Sequence, residues 1–150
     1  VALRAYLFLG LYEAMAGLAA FFHVLLGGGW HYGMDLAADA LLYRQATTAS
    51  LSAIVLLQIV NVFLCRSAVR SVASTGLGGN PLILWGVALE VALILLIDYT
   101  PWGNELLGTA PIALEVWLFL LPWAAGMVAL EELRKYFARR RLGANSQGEG

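Results

Sequence analysis

The stretch from Ala46 to Arg66, ATTASLSAIVLLQIVNVFLCR, constrains what this chain can fold into more than any other. As a helix its length is about 31 Å, against roughly 30 Å of bilayer hydrocarbon. Thr47, Ser50, Ile54, Gln58, Asn61 and Cys65 recur at spacings of three and four, so they share one helical face. Leu51, Val55 and Phe63 lie on the opposite face. Lipid cannot satisfy an amide or a hydroxyl, so the polar stripe must turn toward protein or a water-filled cavity. This helix therefore needs partners, and the rest of the chain supplies them.

The chain is 61 % hydrophobic and 13 % charged, whereas a soluble domain carries roughly 25 % charged residues. A chain of this composition is a membrane protein. The net charge is −1, and no basic stripe with interleaved aromatics occurs, which excludes a nucleic-acid partner. The one cysteine, Cys65, excludes an internal disulfide and gives no metal-ligand spacing. On an apolar helix end it is expected to be a small packing residue. The first hydrophobic run is too long for a signal peptide and lacks a cleavage-like end. The chain begins with Val1 and not Met, which suggests a fragment or a processed product.

Spans are expected at about 5–27, 46–65, 82–98 and 112–133. Together they make an all-α, polytopic membrane four-helix bundle over residues 1–142, followed by a disordered tail over 143–150. In the first span Gly10, Ala14 and Gly17 let another helix approach closely. Gly27, Gly28 and Gly29 end it, and Trp30 and Tyr32 suit the membrane interface. Asp35, Asp39 and Arg44 make the next connection polar. A loop opened by Arg66 and Arg70 runs through Gly76, Gly78 and Gly79 to Pro81. Tyr99, Thr100, Pro101 and Trp102 stop the third span. Pro122 lies inside the fourth and should kink it, freeing the carbonyl of Leu118.

With four spans, Arg4, Arg66, Arg70, Arg134, Lys135, Arg139, Arg140 and Arg141 fall on one membrane side. Arg44 falls on the other, beside Asp35, Asp39, Asp98 and Glu105. The positive-inside rule then places both termini in the cytoplasm.

Polar side chains within the spans carry the functional reading. Glu13 lies roughly 12 Å above the inner end of its span, Gln58 about 10 Å and Glu90 roughly 12 Å. Three helices thus bring polar groups to one level, and Asn61 lies one turn from Gln58. An ionised carboxylate there costs about 2.5–3.5 kcal/mol on insertion scales. Such a layer either coordinates or borders a cation, or ties helices together by hydrogen bonds. Gln58, Glu90, Asn61 and Glu13 are the candidate metal-site residues. Glu115 is expected at the interface, and His23 is expected to pack rather than to ligate. Glu131 and Lys135 form an i, i+4 pair, and Arg139 to Arg141 close the last helix, where its dipole favours cations. That tail reads as a positive-inside anchor beside anionic headgroups or as a docking surface. No phosphate-binding loop, metal-protease motif or nucleophile elbow occurs, so no catalytic residue is assigned.

Three stretches, YRQATTASLSAIVLLQIVNVFLCRS, LWGVALEVALILLIDYTPWGNELLGTAPI and EELRKYFARR, resemble the carboxy-terminal membrane segment of P-type cation-transporting ATPases. The resemblance covers residues 2 to about 142 and implies the last four membrane helices of such a pump. The parent would be an ATP-driven pump cycling through an aspartyl-phosphate, with ATP and magnesium as its cofactors and none held in this chain. The phosphorylated aspartate belongs to a DKTGT motif, which this chain lacks, and the main cation ligands belong to earlier helices. Gln58 matches the position from which one side chain joins the site. Calcium pumps of the sarcoplasmic-reticulum type carry a Glu there, and that departure bears on a second calcium site. Sodium–potassium pumps carry a Gln there and a Glu similar to Glu90. The implied partners are the lipid bilayer and the remaining helices and cytosolic domains of the pump. The implied cargo is calcium or another small cation, and the expected location is a prokaryotic plasma or inner membrane. As isolated, the segment is expected to be inactive. The rival class is a self-standing four-helix membrane protein, a channel or an accessory subunit, without ATPase activity.

Overall fold

In the computed structural model the described residues are 2–37, 40–66, 70 and 79–147; side-chain placement is described for these except at 2, 4–6 and 144–147. Asp39, Gly76 and Gly78 lie outside them, as does the side chain of Arg4. The described residues form five helices: α1 (Ala2–Gly27), α2 (Leu41–Leu64), α3 (Pro81–Tyr99), α4 (Pro101–Leu107) and α5 (Leu114–Gln147). Four of them, all but α4, are long and apolar enough to cross a membrane. The end of the bundle that holds the start of α1 and the basic end of α5 is called the inner end below.

Local chemistry sets the helix ends. After α1, Gly29 adopts φ 87°, a left-handed conformation that glycine enters without steric cost. Trp30 N then donates to Leu25 O at 3.1 Å and Gly29 N to Leu26 O at 3.2 Å, closing the last turn. Asn80 caps α3, its side-chain oxygen accepting from Leu82 N at 3.0 Å, with Pro81 at the first helical position. Helix α2 starts at Leu41, earlier than 46, because the Arg44 guanidinium finds the carbonyls of Asn104 at 2.6 Å and Gly108 at 3.3 Å. Helix α5 continues through Gln147, where a disordered tail was expected from 143. At about 51 Å it exceeds the hydrocarbon thickness and its basic end projects beyond it.

Helices α1, α2 and α5 pack mutually, and α3 packs on the short α4 that follows it and, among the spans, on α2. Small residues set the α1–α2 seam: Ala16, Ala20, Ala46, Ala49 and Ala53 are fully buried. A Cβ on Gly17 would lie 3.1 Å from Ser50 Oγ, so this is a close backbone approach of the kind small residues permit in membranes. One apolar layer holds Ala20, Ala49, Ala53, Ile112, Val116 and Leu120. A second, nearer the inner end, holds Leu9, Ala16, Leu57, Leu64 and Met127. Within α3 only Ile94 and Asp98 are buried, and Leu82, Trp85, Leu89 and Leu96 point outward. An outward apolar coat over a thin, small-residue core is what a bilayer solvent allows.

Candidate cation site

Helix α1 brings Glu13 to α2, where Asn61 Nδ2 donates to Glu13 Oε1 at 3.5 Å, the long limit for such a bond. Asn61 Oδ1 in turn accepts from the Cys65 thiol at 3.0 Å. Cys65 therefore is not a packed core residue. It is exposed at the C-cap of α2, beyond the last helical turn, and burial of its sulfur followed by the Glu131 carboxylate pushes its thiol above the ordinary range.

The polar stripe of α2 is unevenly covered. Thr47, Ser50, Ile54 and Asn61 are half-buried against the bundle, whereas Gln58 is exposed. Glu90, on α3, is half-buried. Among the described residues, neither the Gln58 nor the Glu90 side chain makes a hydrogen bond within the chain. Of the four residues singled out from the sequence, the fold joins Glu13 to Asn61 and leaves Gln58 and Glu90 unjoined to them. Among the described residues no group of three or more His, Cys, Asp or Glu side chains could hold a metal ion. Carboxyl and amide oxygens are ligands for hard cations, which take six or more oxygens. The oxygens of Gln58, Glu90, Asn61 and Glu13 could complete such a shell but could not form one alone.

Below this level, the Tyr12 hydroxyl donates to Trp123 O at 2.7 Å, next to Pro122, and the two rings meet edge to face at 5.5 Å. His23 packs as expected, its imidazole stacked on Phe119 at 4.1 Å and 4°. Glu115 is exposed in the first turn of α5. At the inner end the expected Glu131–Lys135 pair does not form. Arg134 takes both Glu131 oxygens, at 2.8 and 2.6 Å, because its planar fork matches a carboxylate. Lys135, 1 % exposed, reaches instead to Leu64 O at 2.7 Å.

Sequence reasoning passed over Asp98 as a residue at the outer end of a span. It is completely buried, with Ser52 Oγ donating to Asp98 Oδ2 at 2.7 Å. The helix α4 explains why. Thr100 caps α4, accepting from Gly103 N at 3.1 Å, and the α4–α5 connection folds back over the end of α3, with Thr109 Oγ1 donating to Ile97 O at 2.6 Å. The cue in the sequence is Thr100-Pro101, a cap followed by proline at the first helical position, directly after the span.

Residues 1–137 match the family described as "Cation transporting ATPase, C-terminus". The endoplasmic reticulum calcium ATPase srcA of Aspergillus fumigatus is 31 % identical over 97 residues, which are 65 % of this chain and 10 % of that protein. A probable cation-transporting ATPase F of Mycobacterium bovis is 34 % identical over 89 residues, 59 % of this chain and 10 % of that protein. The sodium/potassium-transporting ATPase subunit alpha-2 of Gallus gallus is 28 % identical over 96 residues, 64 % and 9 % respectively. The matched stretch is thus about a tenth of each relative's length.

Proposed function

Because this chain belongs to the family of cation-transporting ATPase carboxy-terminal membrane segments, we propose that its four spans support the membrane cation site of a P-type pump and lend it Gln58 and Glu90. Asn61 and Glu13 stand behind them as a hydrogen-bonded pair that fixes the α1–α2 seam. The observation that carries this reading is the exposed amide of Gln58, about 9 Å inside the end of a membrane-spanning helix. An amide turned to acyl chains would forfeit its hydrogen bonds. Its partner is therefore a cation, or a polar group on the earlier membrane helices of the pump. Glu90 is half-buried on α3, and in this reading its carboxyl joins Gln58 at the cation.

Within that pump this segment hydrolyses nothing. ATP and magnesium act in the cytosolic domains, which couple to these helices by moving the membrane domain between two arrangements. The cargo is a small hard cation, calcium or sodium among them, since the available ligands are oxygens. Both termini face the cytoplasm, by the asymmetry of Lys and Arg between the two membrane sides, and the parent pump resides in a prokaryotic plasma or inner membrane.

The test uses the intact pump carrying Gln58→Ala or Glu90→Ala. Cation-dependent phosphorylation should need a higher cation concentration in both. Unchanged midpoints in both variants would leave these residues as packing groups and return the segment to a purely supporting role.

A further inference from the structure

Among the described residues, Asp98 has no neutralising neighbour. Its residue is 0 % exposed. Oδ2 accepts from Ser52 Oγ at 2.7 Å, while Oδ1 is buried with no hydrogen-bond partner among the described residues. A buried carboxyl oxygen in a membrane protein demands a donor or a counter-charge, and an intramembrane acid is a functional candidate for that reason.

Among the described residues, the elements around it supply neither to Oδ1. On α2, the Thr48 hydroxyl is occupied, donating to Arg44 O at 2.6 Å and accepting from Ala110 N at 3.0 Å. The Arg44 guanidinium is bound to the carbonyls of Asn104 and Gly108 and makes no ion pair with Asp98. On α4, the Asn104 amide nitrogen, in the orientation its neighbours require, faces the backbone carbonyls of Ile97 and Asp98 at 3.0 Å and not the carboxyl. Glu105, the other titratable group on α4, is exposed. Beside Asp98 on α3, the Tyr99 hydroxyl donates to Ile112 O at 2.9 Å and accepts from Trp117 Nε1 on α5 at 2.7 Å.

We propose that Asp98, oriented by Ser52, binds one proton at the outer end of the α2–α3 seam. Asp98 lies next to the last residue of α3, so the charge enters from the outer side. The site is separate from the layer of Gln58 and Glu90, and it rests on the reading of the segment as part of a pump only in requiring the intact protein. Its readout does not depend on transport, so it can fail or stand independently of that reading.

The experiment is infrared difference spectroscopy of the purified full-length pump in lipid, parent against Asp98→Asn, at a series of pH values with sodium, potassium or neither. Asparagine keeps the volume and the acceptor for Ser52. A protonated-carboxyl C=O band lost in Asp98→Asn, whatever the salt, identifies a bound proton. A carboxylate band that shifts on adding sodium or potassium, and is lost in the variant, identifies a metal cation instead and overturns the proposal. Ser52→Ala should shift whichever band is found, and it serves where Asp98→Asn does not fold. An ionised carboxylate insensitive to salt and to pH near neutrality, or a band unmoved by Ser52→Ala, overturns the proposal.

Discussion

Lys135 Nζ donates to the backbone carbonyl of Leu64 at 2.7 Å, so a side chain of α5 closes the C-terminal end of α2. The last carbonyls of a helix lack intrahelical donors and carry negative dipole charge, which an ammonium satisfies on both counts. Lys135→Met fills the volume but strands that carbonyl. It should destabilise the intact pump by about 1.5–3 kcal/mol, the range for a hydrogen bond to a charged group. Glu131→Gln keeps the volume of a side chain that is 5 % exposed and leaves Arg134, 32 % exposed, able to turn to water; it should cost about 1 kcal/mol. Thermal unfolding in detergent should rank the two in that order, and the reverse order would show that Lys135 is held by packing alone.

Tyr12 and Gly126 form a second such contact. A Cβ on Gly126 would collide with the Tyr12 hydroxyl oxygen, yet it would lie 3.6 Å from Tyr12 Cζ, an ordinary contact. Gly126→Ala should therefore destabilise by about 1–3 kcal/mol, as overpacking does. In a Tyr12→Phe background the same alanine should be nearly neutral, because the clashing atom is gone. Additive losses in the double variant would contradict this geometry.

Gly103 and Gly28 differ in what surrounds them. A Cβ on Gly103 would lie 2.7 Å from Ile97 Cα and 2.8 Å from the carbonyl oxygens of Ile97 and Leu96, all backbone. The three atoms nearest a Cβ on Gly28 all belong to the side chain of Leu42. Backbone cannot step aside and a leucine side chain can, so Gly103→Ala should abolish or sharply reduce folded yield and Gly28→Ala should not. Equal yields would mean that α4 can lift from α3 at little cost.

Cys65 offers a pH-dependent readout at the inner end. Its thiol sits above the ordinary range through burial first and Glu131 second, and Lys135 and Arg134 oppose that. A raised thiol holds less thiolate at neutral pH, so alkylation by a water-soluble maleimide should be slow and should quicken as pH rises. Glu131→Gln should speed it at fixed pH and Lys135→Met should slow it. The same reagent reports topology. In sealed vesicles Cys65 should react from the cytoplasmic side, and a cysteine at Glu105 in a Cys65→Ser background should react from the opposite side.

The four spans could be read from the sequence because length and hydropathy are local properties, and a bilayer imposes both. His23 packs for the same reason, being alone on an apolar helix. What could not be read depends on the neighbours that each side chain finds. Glu131 and Lys135 have the spacing of an ion pair, but Arg134 offers the carboxylate two parallel bonds and Lys135 reaches a carbonyl of another helix. Asp98 stands at the end of its hydrophobic run and looks interfacial. Only the return of the α4–α5 connection over α3 buries it. Gln58 belongs to the α2 polar stripe by spacing, yet α1 covers Asn61 and leaves Gln58 exposed.

If Gln58 joins the cation site, it faces a polar partner rather than lipid. Replacing it with leucine separates the two directly, because a lipid-facing position gains from an apolar side chain and a site-facing one loses a ligand. The measurement is the cation concentration that half-activates phosphorylation of the intact pump with Gln58→Leu. The midpoint should rise about tenfold, the equivalent of roughly 1.4 kcal/mol. A midpoint equal to or below that of the parent, in a protein at least as stable, would contradict the assignment.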